Sequence, residues 1–178
     1  MILRCLFALS LCFCASLSFA QTDWKEINFL PQYAGALRSA NGFSGMIVAT
    51  SNSEWNENWT ISPDSVPDLY LSNSVGTGEN IYVLVFFSNP TLNENKAADI
   101  ACDLQLIRPD GSESFSKKDV VCFKGLTVGG VTDFSMVIPV IDFTSEESDL
   151  KGIWRVKMTL KDKLGKQRLP LVASFTNE

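Results

Sequence analysis

From Phe43 onward, short apolar runs alternate with clusters of turn-forming residues, and the period inside the runs is two, as in strands, not 3.6 as in helices. The clearest run is Ile153 to Asp162, where Trp154, Val156, Met158 and Leu160 alternate with Arg155, Lys157, Thr159 and Lys161. Leu164-Gly165 makes a turn, and Leu169, Leu171, Ala173 and Phe175 supply the inward positions of a last strand. Pro170 then falls on the outward face, which an edge strand tolerates. Asp99 to Ile107 alternates in the same way, Pro109-Asp110-Gly111-Ser112 is strong turn chemistry, and Phe115 to Lys124 returns as the partner strand. Phe43 to Thr50 (FSGMIVAT) is rich in β-forming residues, and Asp68 to Ser74 reads as a strand closed by Gly76 and Gly78. Asn80 to Ser88 (NIYVLVFFS) is apolar on both faces, as in a central strand covered on both sides. Asp133 to Phe143 is a strand interrupted at Pro139, and the acidic run Thr144 to Asp149 links it to the last pair. The pattern predicts an all-β fold, an antiparallel β-sandwich of about eight strands. Helix is confined to one short turn, with Ser53 as its cap and Trp55 and Trp59 one turn apart on a single face.

The first 42 residues stand apart. Met1 to Ala20 carries Arg4, an apolar run from Cys5 to about Leu17, and small residues at Ser18 and Ala20, the layout of a secretory signal peptide cleaved after Ala20. A periplasmic or secreted location follows, with no stable membrane insertion, because no later stretch approaches the length of an apolar span. Residues 21–42 are mixed in character, with Pro31 breaking any long helix, and read as a leader or as a strand laid along the domain edge. The sandwich domain is expected over residues 43–178.

Removal of the signal peptide takes Cys5, Cys12 and Cys14 with it and leaves Cys102 and Cys122. In an exported protein such a pair is expected to be bridged. Folding the runs Asp99 to Ile107 and Phe115 to Lys124 about Ser112 sets Cys102 opposite Cys122, with Cys102 on the apolar face beside Leu104 and Leu106. A one-residue slip would send one cysteine to the other face. No Cys-x-x-Cys motif is present, so the pairing is structural and not redox-active.

The chain of 178 residues contains no histidine. Ser-His-Asp and Cys-His mechanisms and His-ligated metal sites are therefore excluded. With 15 Lys and Arg against 20 Asp and Glu, the overall charge argues against nucleic-acid binding. Carboxylate pairs remain on paper, Glu54 with Glu57, or Glu146 with Glu147 and Asp149, but all lie in polar stretches where solvated charge is expected. Ser116 beside Lys117 and Lys118 reads as a strand edge protected by charge, not as a dyad. Ser145 to Asp149 lacks the D-x-D-x-D-G spacing of a calcium loop, and the Asn58-Trp59-Thr60 acceptor sequence is read as incidental for the bacterial origin expected of this chain. No catalytic residue, metal site or cofactor is assigned.

The stretch Val75 to Asn89 and the closing stretch Gly152 to Phe175 resemble the early and final strands of bacterial immunoglobulin-like domains. The Trp55/Trp59 segment, the central strand Ile81 to Phe87, the Arg108-Pro-Asp-Gly111 turn and the strand from Gly152 to Val156 together resemble small exported bacterial proteins of a periplasmic family. The resemblance implies an immunoglobulin-like sandwich and no reaction. Glu54, Trp55, Glu57 and Trp59 form an acidic, aromatic patch with two readings, cover for one open end of the sandwich or a recognition surface suited to a basic protein partner. The expected function is a non-catalytic periplasmic protein-binding module, in its narrower form an immunity-type inhibitor of an exported toxin. A chaperone or assembly factor acting by strand addition, and a carboxylate-based hydrolase, are the alternatives.

Overall fold

A computed structural model describes residues 35–55, 71–127 and 134–178. These residues form an all-β sandwich of two sheets. The strands are β1 (Gly35–Ala40), β2 (Phe43–Thr50), β3 (Ser74–Val75), β4 (Asn80–Ser88), β5 (Ala97–Ile107), β6 (Glu113–Leu126), β7 (Ser135–Met136), β8 (Ile141–Thr144), β9 (Gly152–Asp162) and β10 (Gln167–Asn177). In the first sheet the order is β1-β2-β4, with β7 and β8 both pairing the far flank of β4. In the second it is β3-β10-β9-β5-β6. Every pairing is antiparallel except that of β3 with β10.

The inward positions of the alternating runs meet between the sheets. Trp154, Val156, Met158 and Leu160 of β9 and Leu169, Leu171, Ala173 and Phe175 of β10 are buried, facing Ile47, Ile81, Val83 and Phe87 of the first sheet. Phe143 of β8 packs between Trp154 and Phe175, with ring centroids 4.9 and 5.0 Å away. At Gly45 the facing sheet fills the space of a side chain: a Cβ there would lie 2.7 Å from Leu160 Cδ1 and 2.8 Å from Leu169 Cδ2. Between β7 and β8 the chain bridges the two sheets, since the Val137 N–H donates to Val85 C=O and the Ile138 N–H to Cys122 C=O.

Several expectations are refined by pairing that no local pattern encodes. β1 falls within the segment read as a leader or edge strand, and it is an edge strand on β2. Of the expected strand at Asp68 to Ser74, only Ser74 is in a ladder, as the first residue of β3, with Leu71 making one isolated bridge to Thr50 and residues 68–70 outside the described ones. Pro139, in a cis peptide bond, separates β7 from β8. The last strand is not an edge, because β9 and β3 flank it, but β3 reaches only Thr176 and Asn177 and leaves Pro170 with a ladder on one side.

The β5–β6 hairpin forms about the expected turn, but its register drifts through three irregularities. Ile100 pairs Phe123 while Ala101 pairs Val121, so Cys122 is the extra residue of a bulge, and Cys102 lies opposite Val120. Continued regularly from the Ile100–Phe123 pair, the ladder would have set Cys102 opposite Val121 and turned Cys122 to the other face. The bulge turns it back, and both are buried in the core and joined as a disulfide with Cα atoms 5.9 Å apart.

Two buried polar groups close the ends of the sandwich. The Asp162 carboxylate, 1% exposed, accepts backbone N–H bonds from Thr91 (2.9 Å), Leu164 (3.1 Å) and Gly165 (3.0 Å), tying the β4–β5 loop to the β9–β10 turn. At the other end Asn177 Oδ1 accepts from Ser145 Oγ (2.5 Å), while its amide and the Trp154 indole N–H both donate to Leu150 C=O.

Candidate functional site

The first sheet is apolar on its outer face as well as its inner one. Val48, Leu84 and Phe86 point away from the core and are still fully buried, in a second cluster rimmed by Met46, Trp55, Tyr82, Met136 and Val140. A two-sheet sandwich ordinarily presents polar residues there. The both-faces-apolar run Asn80 to Ser88 therefore has its covering in two places, the opposite sheet on one side and this cluster on the other.

Trp55 is brought to that face by a polar turn directly after β2. The Asn52 N–H donates to Thr50 Oγ1 (3.0 Å), and the Glu54 N–H donates to Asn52 Oδ1 (2.9 Å), so Asn52 does locally what was expected of Ser53. Trp55 is half-buried, its ring 6.4 Å from that of Tyr82 and tilted by 50°. Glu54 beside it is exposed, as is Asp142, which lies opposite Tyr82 on β8. None of the outward residues of β2, β4, β7 and β8 is Lys or Arg. Glu57 and Trp59, the other half of the expected patch, lie outside the described residues, as does the Asn58 acceptor sequence.

The remaining candidates are not assembled into a reactive centre. Glu146 and Asp149 close a turn, in which Asp149 Oδ2 accepts the Glu146 N–H at 2.9 Å, and Ser145 is occupied with Asn177. Ser116 and Lys117 alternate to opposite faces of β6, opposite Gln105 and Leu104. Among the described residues no group of three His, Cys, Asp or Glu side chains could hold a metal ion.

One ionic network does form, on the outer face of the second sheet. Lys161 Nζ on β9 donates to Asp103 Oδ1 on β5 (2.5 Å) and to Asp119 Oδ1 on β6 (2.6 Å). Arg168 on β10 approaches Asp103 Oδ2 at 3.4 Å, and the Asp119 N–H donates to Asp103 Oδ1. Asp119 has a positive φ of 53°, within the bulged stretch of β6. The Lys161 hydrogen bond, then the Asp119 N–H, hold the Asp103 carboxyl below the usual carboxylate range, and the same two carboxylates raise Lys161. Each group is matched by a fixed partner, so the network fastens four strands together and leaves no free acid or base.

Sequence reasoning missed three features in whole or in part: the apolar outer face, read in Asn80 to Ser88 alone, the buried Asp162 and the crowding of basic residues near the C-terminus. The first was readable as Met46 and Val48 alternating with Gly45, Ile47 and Ala49 in β2, and the third as a charge count. Nothing local distinguishes Asp162 from a solvated turn aspartate.

No protein-family model matches the chain, and no curated protein matches it. Solved structures with some likeness include a family 123 glycoside hydrolase from Clostridium perfringens, at 9% identity and TM-score 0.38 over 74% of this chain and 27% of that one. The chain thus spans about a quarter of the length of that hydrolase. They also include a Niemann-Pick type C2 protein from Japanese carpenter ant, at 10% identity and TM-score 0.40, covering 87% of this chain and 98% of that one. A third is the CARDB domain of the PF1109 protein from Pyrococcus furiosus, in complex with di-metal ions, at 14% identity and TM-score 0.33, covering 60% of this chain and 79% of that one. At these values the likenesses carry nothing about function.

Proposed function

We infer that the protein is an exported, non-catalytic protein-binding module with an immunoglobulin-like strand arrangement, whose partner docks on the outer face of the first sheet. Its narrower form is an immunity-type inhibitor of an exported toxin. The observation that carries the reading is the second apolar cluster, whose half-buried rim of Met46, Trp55, Tyr82 and Met136 has the aromatic and methionine composition enriched at protein interfaces. Glu54 and Asp142, beside a face with no Lys or Arg among its described outward residues, suit a basic partner.

Strand order supports the immunoglobulin-like part. With β2, β4 and β8 as strands A, B and E, and β5, β9 and β10 as C, F and G, each sheet has the neighbours that such a domain has. Export is supported by the Met1 to Ala20 segment and by the Cys102–Cys122 disulfide; among the described residues no helix is long and apolar enough to cross a membrane. Strand addition fits the flank of β6 away from β5 poorly, since the Ile138 N–H already donates to Cys122 C=O. That strand is bulged and carries Lys117, Lys118 and Asp119, devices that discourage pairing at an edge.

The test is affinity capture from the exported fraction with the native protein and with Trp55→Ala, circular dichroism serving as the check on folding. A basic protein retained by the first, eluted by salt and lost with the folded variant is the expected result. The same partner retained in equal yield by Trp55→Ala would remove this face from the proposal.

A further inference from the structure

The charge of the chain is divided between its faces. Seven of its 15 basic residues lie in residues 151–178, where the only acids are the buried Asp162 and the C-terminal Glu178. Strand alternation puts Arg155, Lys157, Lys161 and Arg168 on the outer face of the second sheet, and the β9–β10 turn adds Lys163 and Lys166. Asp99 pairs with Lys124 at 3.5 Å, while Asp103 and Asp119 are taken up by Lys161 and Arg168. Arg155, Lys157, Lys163 and Lys166 are exposed beside these pairs. The same face and its rim expose five large aliphatic residues: Val121 (60%) and Leu126 (67%) on β6, Ile153 (40%) on β9, Leu164 (40%) in the turn and Val172 (44%) on β10.

We propose that this face docks the protein peripherally on an anionic lipid bilayer, with the lysines and arginines against the headgroup phosphates and the aliphatic residues at the acyl boundary. A protein partner fits the face less well, because the cores of protein interfaces are depleted in Lys and enriched in Trp, Tyr and Met. Here the cations are mainly Lys, and the apolar positions are Val, Leu and Ile spread across a broad sheet, as an extended charged surface requires. The face lies on the opposite side of the sandwich from Trp55, so a bilayer and a protein partner can be engaged together.

Co-sedimentation of the protein, as the cell processes it, with vesicles of phosphatidylglycerol mixed with phosphatidylcholine tests this. Binding is expected to mixed vesicles and not to pure phosphatidylcholine, and to fall as salt shortens the screening length. Each cation is worth about fivefold in partitioning, so Arg155→Gln/Lys157→Gln is expected to lose about 25-fold. Leu164→Ser/Val172→Ser is expected to weaken binding to vesicles while leaving retention on immobilised polyglutamate unchanged. Equal binding to both vesicle types, wild-type partitioning by the folded Arg155→Gln/Lys157→Gln protein, or no effect of salt would overturn the proposal. Polyglutamate binding as tight as vesicle binding, with no effect of the aliphatic changes, would assign the face to an acidic protein instead. Because the salt series uses the native protein, the outcome does not depend on a variant folding.

Discussion

Removal of the Asp162 side chain tests most directly how the end of this sandwich is held. The carboxylate is buried and accepts three backbone N–H bonds, from Thr91, Leu164 and Gly165, at 2.9 to 3.1 Å. Hydrogen bonds to a charged acceptor contribute roughly 1.5–3 kcal/mol each, against about 1 for a neutral pair. Thr91 and Leu164 are exposed, so water replaces part of what Asp162→Ala removes, and the net loss is that of about two such bonds at the lower end. The expected loss is about 3 kcal/mol for Asp162→Ala. Asp162→Asn keeps an acceptor for the turn but sets its NH₂ against the Thr91 N–H or a turn N–H, for an expected loss of roughly 1–2 kcal/mol. With a urea m-value of about 2 kcal/mol per molar, these correspond to midpoint shifts of about 1.5 M and 0.5–1 M. Urea unfolding followed by tryptophan fluorescence, with the disulfide kept oxidised, reads both, and unchanged m-values license the comparison. Amide exchange should also accelerate at Thr91, Leu164 and Gly165 in the alanine variant. A midpoint within about 0.2 M of wild type for Asp162→Ala would refute the reasoning, because it would mean that the three donors are satisfied equally well by solvent.

Three further perturbations address other parts of the fold. Cys102→Ser/Cys122→Ser opens a link spanning 20 residues and is expected to cost about 3 kcal/mol in the chain-entropy account, a fall of roughly 6–12 °C in Tm by calorimetry; a fall under about 2 °C would argue that the bulge alone holds β6. Gly45→Val places a branched side chain where even a Cβ sits 2.7 Å from Leu160, so a loss of about 1–3 kcal/mol is expected in the same urea assay, and a stabilised variant would show that the leucines yield freely. Asp103 has a folded pKa below its unfolded value near 3.8, so it stabilises the fold above about pH 4 and that contribution disappears as pH falls through the folded value. The difference in urea midpoint between wild type and Asp103→Asn should therefore be constant from pH 7 to about 5 and shrink below about 4; a difference that persists unchanged at about pH 2.5 would remove the ionic network as its cause.

Much of this molecule is local in origin. The period-two runs located β2 and β4 at their observed bounds and β9 and β10 within a few residues, with their buried sides, because alternation is a property of a single strand and the bounding turns are written in Gly, Pro and Asp. The two cysteines were legible for a related reason, since a hairpin couples residues through one short turn. Everything that depends on which strand lies beside which was decided by tertiary structure. The partnership of β5 with β9, the short parallel strand β3, and β7 and β8 sharing one flank of β4 join residues far apart in sequence, where no period carries the choice. The same limit applied to the chemistry. Cys122 meets Cys102 at a bulge and not at a regular pair, Asp162 is a buried triple acceptor only because the β4–β5 loop folds over it, and Trp55 acquires meaning only from the outward side chains of β2 and β4 beneath it. Alternation states that a side chain points inward or outward, while the energy of its position depends on neighbours supplied by the rest of the chain.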